Sequence, residues 1–185
     1  MDTLTAITTR RSAGKLGAPG PTRSQLADIL DAGTRAPDHG RLSPWRFIVL
    51  EGKARERLGA AMAALKKRNK PEAGEAELQS ERAKADRAPV IVAVAARPTL
   101  GKIPEVEQLL TVGASVQNMW LAAHALGLGA MWKTGEAAYD DAVKAELGFE
   151  PGDKIVAFLY LGTVLSPGQG RELSVEAVTS WLDPS

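Results

Sequence analysis

Cysteine is absent from this sequence of 185 residues, and its absence excludes several kinds of chemistry. A chain without cysteine forms no disulfide and offers neither a thiolate nucleophile nor a thiolate metal ligand. The absence also fits a reducing compartment, where structural disulfides are rare. Histidine is scarce as well, with only His39 and His124, so we expect no metal site.

Net charge and long apolar segments are also limited. The formal net charge is +1, which provides no overall field to attract nucleic acid or an acidic membrane. The longest apolar run, residues 90–96, is far too short to cross a bilayer. Residues 1–12 lack the apolar region of a secretory signal. We therefore expect a cytoplasmic protein without a membrane or nucleic-acid partner.

The overall composition is that of an ordinary globular protein, with 44% hydrophobic and 24% charged residues. This length and balance predict a single domain over residues 1–185. Periodicity predicts helices over residues 2–11, 22–33, 54–67, 105–127, 139–147 and 174–181, and strands over 45–51, 89–96, 128–134 and 154–163. Residues 14–21, rich in glycine and proline, are predicted as a loop. The order predicts an α+β fold with a mixed central sheet surrounded by helices, including one parallel crossover through the long helix.

The most informative stretch is the loop RAPDHGRLSPWRF at residues 35–47. It contains Arg35, His39, Arg41 and Trp45, and its two prolines and Gly40 keep the backbone out of regular structure. A loop held between a helix and a strand is a frequent location for binding residues. The alternative is an ordinary connection whose charged side chains face water.

A second cationic cluster, Arg10, Arg11 and Ser12, follows the first predicted helix. The carboxyl end of a helix offers no free amide donors, so side chains must supply the positive charge for an anion. The planar guanidinium of arginine suits a phosphate group. Alternatively, the two arginines only neutralise the helix dipole. Two such clusters in the first quarter of a nearly neutral chain indicate one anionic ligand.

Four motifs in order resemble the nitroreductase family of FMN-dependent oxidoreductases, and in particular its small single-domain members. They are RRS at 10–12, APDHGRLSPWRF at 36–47, ALGLGAMWKTG at 125–135, and LGT at 161–163 followed by GRELSVEAV at 170–178. The resemblance implies a nitroreductase-like fold and a homodimer whose FMN sites are shared between subunits. It also implies that NAD(P)H reduces the flavin at N5 and leaves. A nitroaromatic, quinone or similar electron-poor acceptor then takes its place in a ping-pong cycle.

The resemblance assigns cofactor-binding roles to particular residues. Arg10, Arg11 and Ser12 would hold the FMN phosphate, and Arg35 and His39 would contact the same FMN from the partner subunit. Trp132, Lys133 and Thr134 would lie along the flavin, and Arg171 would bring a basic side chain to the phosphate. Arg41 and Ser43 stand where the commoner family form has Asn and Gln, which usually meet the polar edge of the flavin. No catalytic protein residue is expected, because the cofactor carries the redox chemistry.

Three questions stay open at this point. A cation near flavin N1 and the C2 carbonyl would stabilise the reduced state, and Lys133, Arg41 and Lys15 are equal candidates for it. The charge-dense segment 66–87 is either a solvated helix pair or a mobile cover over a pocket. Two alternative functions are a family member with different flavin chemistry, such as dehalogenation or ring modification, and a non-catalytic dimeric FMN-binding protein.

Overall fold

The computed structural model describes residues 1–170 and 173–182. Its helices are α1 (Thr3–Thr9), α2 (Arg23–Thr34), α3 (Lys53–Asn69), α4 (Glu75–Arg82), α5 (Glu105–Ala125) and α6 (Asp141–Leu147). Its strands are β1 (Lys15–Gly17), β2 (Trp45–Glu51), β3 (Val90–Ala96), β4 (Gly129–Lys133) and β5 (Lys154–Ser166). Short 3₁₀ turns cover His39–Arg41, Ala83–Asp86, Glu136–Ala138 and Glu176–Val178.

Strand β5 lies at the centre of the sheet. It pairs with β3 over residues 154–161, with β4 over 158–162 and with β1 over 163–166, and β2 completes the sheet beside β3. Every pairing among the described strands is antiparallel, whereas the order of elements predicted a mixed sheet. Strands β3 and β4, joined by α5, do run in the same direction. Because β5 inserts between them, the predicted crossover is present but its two strands exchange no hydrogen bonds.

Helices cover both faces of this sheet. Alternate strand residues point to opposite faces, so Phe158 packs toward α3 while its neighbour Leu159 packs toward α5. One core cluster contains Leu58, Met62 and Val143 from α3 and α6. The other contains residues of α2 and α5, including Ile29, Val116 and Met119. The result is a sheet between two helical layers, and β4 ends near the layer formed by α3 and α6.

Local sequence signals explain where several helices begin. Asp2 accepts a hydrogen bond from the Thr5 amide at the start of α1. Thr22 and Gln25 form the capping box of α2, each side chain accepting from the backbone amide of the other. These polar side chains satisfy amides that the first helical turn leaves without partners.

Two predicted elements differ from the structure. The predicted loop at 14–21 contains the short strand β1, because β5 extends to Ser166 and offers it a pairing edge. The predicted helix at 174–181 is only the 3₁₀ turn Glu176–Val178. Its apolar side chains, including Val178 and Trp181, are exposed, so tertiary packing from the described residues does not stabilise a short helix there. In the described ranges, no helix is both long enough and apolar enough to cross a membrane.

Candidate functional site

Arg10 caps the carboxyl end of α1 and is held against α5. Its guanidinium carbon lies 4.1 Å from the centre of the Trp120 ring, a cation–π contact that fixes the side chain. Burial lowers the pKa of Arg10, and the adjacent positive charge of Arg11 acts in the same direction. The Nη1 atom is buried and has no hydrogen-bond partner among the described residues. Because an unpaired buried donor is costly, this nitrogen is suited to an acceptor from a ligand.

Arg11 and Ser12 are tied to the same place by the backbone. Arg11 donates from Nη1 to the carbonyl oxygens of Thr8 at 2.7 Å and Arg10 at 2.9 Å, so it also completes the end of α1. Ser12 is exposed. The amide of Ala13 donates to Ala130 at 3.0 Å, which joins this segment to β4. The two alternative roles of the arginine pair are thus divided between its members. Arg11 stabilises the end of the helix, whereas Arg10 is available to a ligand.

Lys133 and Thr134, at the end of β4, line a cavity of about 350 Å³. Its inner wall is apolar and comes from α3 and β5. Tyr160 belongs to this wall, where burial raises its pKa to about 12 although the nearby Arg87 acts in the opposite direction. The phenol is therefore protonated at neutral pH. The wall residues are Met62, Leu65, Phe158 and Tyr160.

The rim of this cavity is rich in positive charge. It carries the four cations Lys66, Lys84, Arg87 and Lys133 against the two acids Glu81 and Glu136, an excess of two positive charges. Glu81 pairs with Lys84, and Glu136 accepts a hydrogen bond from Asn69. The other three cations have no ion pair within the described part of the chain. A flat molecule with electron-rich edges fits this combination of apolar wall and cationic rim.

The side chain of Trp132 points away from this cavity. Strand alternation places it on the face that packs toward α5, where its indole Nε1 donates to the Val156 carbonyl at 3.0 Å. Of the three predicted residues at 132–134, only Lys133 and Thr134 line the cavity.

Arg35 and His39 each have an acidic side chain as partner within the protomer. Arg35, at the end of α2, forms a bidentate pair with Asp31 that raises its pKa. His39 contacts the first turn of α5 through Nδ1, which lies 2.6 Å from Oε2 of Glu107. His124 is also engaged, since its Nε2 lies 2.9 Å from the Thr9 hydroxyl. Arg171, predicted near the phosphate, falls outside the described residues.

Helix α5 separates the two cationic clusters within one protomer. Arg10 contacts Trp120 and His39 contacts Glu107, thirteen positions apart on the same helix. At 1.5 Å per residue these contact points are about 20 Å apart along the helix axis. The structure thus brings Arg10, Arg11 and Ser12 together beside β4, and it does not bring His39 to them in the same chain.

Several residues of this region could not be predicted from the sequence. Lys66, Lys84 and Arg87 belong to the charge-dense segment, but nothing in their spacing reveals that they face a cavity with Lys133. Trp120 and Glu107, the contacts of Arg10 and His39, are far from them in sequence.

Comparisons with known proteins agree with this architecture. The family model for the nitroreductase family matches residues 7–163. The Escherichia coli protein named "Putative NAD(P)H nitroreductase YdjA" is 40% identical over 166 residues, which cover 88% of each chain. A crystal structure of a "putative nitroreductase in complex with fmn" from Desulfovibrio desulfuricans is 27% identical, with a TM-score of 0.78 over all of both chains. A nitroreductase-like protein from Bacillus cereus, at 22% identity, has the same fold with a TM-score of 0.83 over all of both chains. This chain therefore belongs to the nitroreductase family.

Proposed function

We propose that this protein is a homodimeric, FMN-dependent NAD(P)H oxidoreductase that reduces nitroaromatics, quinones or similar electron-poor molecules by a ping-pong mechanism. Membership of the family supports this assignment, as do the NAD(P)H nitroreductase name of its relative and the FMN complex of its structural neighbour. The observation that carries it is the buried Nη1 of Arg10, which has no partner in the described chain. When bound, FMN would supply the hydride transfer.

The residues beside β4 fit the phosphate of FMN. Arg10 presents a fixed guanidinium with an unused donor, and an ionised acceptor makes the strongest hydrogen bond to it. Arg11 adds charge, and Ser12 adds an exposed hydroxyl donor. We assign all three to phosphate binding, and Arg171 stays a predicted fourth member. The chemistry of this donor set matches a dianion better than a neutral ligand.

The cavity at Lys133 and Thr134 fits the polar edge of the flavin ring. Reduced flavin is negatively charged near N1 and the C2 carbonyl, and a cation there favours the reduced state. Lys133 lines the cavity, whereas Arg41 is on the loop of His39 and Lys15 is on β1. We therefore favour Lys133 among the three candidate cations. Trp132 would contact the flavin only through its backbone.

Two features support a shared site in a homodimer. The separation of about 20 Å along α5 leaves His39 of one protomer too far from its own Arg10 to hold one FMN phosphate. His39 would instead serve the site of the partner subunit, and the resemblance to the family assigns Arg35 the same role. In addition, α1 and α5 expose large apolar side chains, namely Leu4, Ile7, Val106 and Leu110. Apolar side chains of this kind on paired helices are typical of a surface that another protein covers.

Spectroscopy of the purified protein tests the proposal. We expect a yellow protein whose flavin band bleaches with NADH or NADPH without oxygen and returns when a nitroaromatic is added. A yellow protein that does not bleach would favour the non-catalytic FMN-binding alternative. Bleaching with reoxidation only by a halogenated aromatic would favour the alternative of different flavin chemistry. A colourless protein that cannot be reconstituted with FMN would overturn the proposal. Because NAD(P)H is an intracellular reductant, we also propose a cytoplasmic location.

A further inference from the structure

The contact between His39 and Glu107 is short and well defined. Nδ1 of His39 lies 2.6 Å from Oε2 of Glu107, the separation of a strong charge-assisted hydrogen bond. A carboxylate accepts and does not donate, so the proton of this bond belongs to Nδ1. The contact therefore fixes the orientation of the imidazole ring.

This contact adds little to the stability of the fold. The His39 side chain is 65% exposed and that of Glu107 is 42% exposed. Pairs this exposed to water are strongly screened and contribute little to folding. A hydrogen bond of this geometry that contributes little to folding indicates a role other than stabilising the protomer.

The backbone on the histidine side of the contact is rigid. Gly40, Arg41 and Ser43 all have positive φ angles, of 79°, 54° and 48°. The Ser43 amide donates to Oδ2 of Asp38 at 2.7 Å, closing the turn around His39. Positive φ at non-glycine residues is a strained conformation that persists where the surrounding structure requires it, and such strain is concentrated at functional sites.

The glutamate side is rigid as well. The next residue, Gln108, is 2% exposed, and its carboxamide binds the amide and carbonyl of Thr99 and the carbonyl of Ile103. Ile103 in turn packs beside Gly40, where an added Cβ would lie 3.1 Å from it. Both partners of the contact are thus mounted on backbone that hydrogen bonds and packing hold in place.

With Nδ1 engaged, Nε2 is the ring nitrogen left for a ligand. It has no hydrogen-bond partner within residues 1–170 and 173–182, and it lies on the other side of the ring from Glu107. We infer that Glu107 is a positioning residue, which holds His39 so that Nε2 faces the FMN bound by the partner subunit. The inference rests on the proposed function. It adds Glu107 to the residues that each protomer contributes to the FMN site of its partner.

Flavin affinity measured on three variants tests this role. We expect Glu107→Ala to raise the dissociation constant for FMN about tenfold, the lower end of the range found when the partner that orients a metal-binding histidine is removed. Glu107→Gln should stay within about threefold of wild type, because the amide oxygen still accepts from Nδ1. Glu105→Gln is the matched control, since it also removes a carboxylate from the first turn of α5 but lies against Lys154 instead of His39. It should bind FMN as wild type does.

The double variant separates positioning from a general structural effect. If Glu107 acts through His39, adding Glu107→Ala to His39→Ala should cause no further loss of FMN affinity. A further tenfold loss in the double variant would overturn the inference. Loss of affinity in Glu107→Gln equal to that in Glu107→Ala would overturn it as well, because orientation by this hydrogen bond would then not be the cause.

Mixed dimers give a second readout that a defect in folding would not reproduce. Dimers of one Glu107→Ala chain and one Arg10→Ala chain should regain one site of wild-type affinity. Dimers of Glu107→Ala with His39→Ala should regain none, because both changes damage the same half of the site. One sound site in the second mixture would contradict the inference. A wild-type protein that binds no FMN would instead contradict the proposed function.

Discussion

Helix α5 contacts Arg10 near its carboxyl end and His39 near its amino end, and the two contacts are built in opposite ways. At the carboxyl end, Arg10 is stacked on Trp120, partly buried, and keeps one buried donor that has no partner among the described residues. At the amino end, His39 is exposed and already engaged by Glu107. A ligand that supplies a hydrogen-bond acceptor would stabilise the arrangement at Arg10. His39 is already oriented by Glu107, so it is suited to a ligand that approaches from outside the protomer.

This difference suits the proposed homodimer, in which one FMN site is divided between two identical chains. The half of the site that stays in its own protomer would have a desolvated donor, whose cost the bound phosphate would remove. The half contributed to the partner would have to be ordered before assembly, because the proposal places no ligand against it in its own protomer. Strained backbone and a short hydrogen bond would provide that order.

Replacing Arg10 should have the largest effect of these substitutions. A small effect would contradict the contrast between the two ends of α5. Arg10→Ala should weaken FMN binding about 100-fold, or about 2.7 kcal/mol, as expected for a charged hydrogen bond to phosphate. The apoprotein should keep its free energy of unfolding within about 1 kcal/mol, because losing the cation–π contact is offset by removing an unpaired buried donor. Flavin fluorescence titration and urea unfolding measure the two quantities. Arg10→Lys, which keeps the charge without the planar fork, should lie between wild type and Arg10→Ala.

The support beneath the amino end of α5 can be tested through Asp153. Its side chain is buried and accepts two hydrogen bonds from Arg97, which lower its pKa, and the Arg97 amide donates to Pro44 beside the loop of His39. Because Arg97 is about a third exposed, we expect Arg97→Ala to cost about 2 kcal/mol of unfolding free energy, below the range for a fully buried pair.

The same ion pair predicts a dependence of stability on pH. A carboxyl group whose pKa is lower in the folded state stabilises the fold at pH values above its unfolded pKa, near 3.9. That contribution is lost as the pH falls through the lower folded pKa. Urea unfolding between pH 6 and pH 3 should therefore show a smaller acid loss in Arg97→Ala than in wild type. Equal slopes would mean that Asp153 is not the group that responds.

The sharing of the site itself is tested by mixing two damaged chains. His39→Ala should weaken FMN binding about tenfold, since one hydrogen bond to a charged group is removed. Co-expressed with Arg10→Ala and purified through two different tags, it should form mixed dimers with one site of wild-type affinity. The control is each variant alone, with no such site. If the mixed dimer has no site of wild-type affinity, each chain builds its own FMN site. The contrast between the two ends of α5 would then not reflect a site shared between subunits.

The sequence predicts best what is local. The caps of α1 and α2, the strand at 45–51 and the long helix depend on neighbouring residues, and each is present. The prediction was wrong for the helix at 174–181, whose apolar side chains are not covered by any of the described residues. The contacts that define the candidate site join residues far apart: Arg10 with Trp120, and His39 with Glu107. No periodicity specifies such pairs, because the fold of the sheet brings them together.

The smallest expected effect concerns Lys133. Its position in the cavity with the cationic rim could not be deduced from the sequence. Lys133→Met should lower the two-electron potential of bound FMN by about 20 mV, or about 1 kcal/mol. The effect is modest because Lys133 is exposed and water screens its charge. Lys84→Met is the matched control, because Lys84 lines the same cavity but is already neutralised by Glu81 and should change the potential less. An unchanged potential in Lys133→Met, measured by equilibrium with a reference dye, would return Arg41 and Lys15 to consideration.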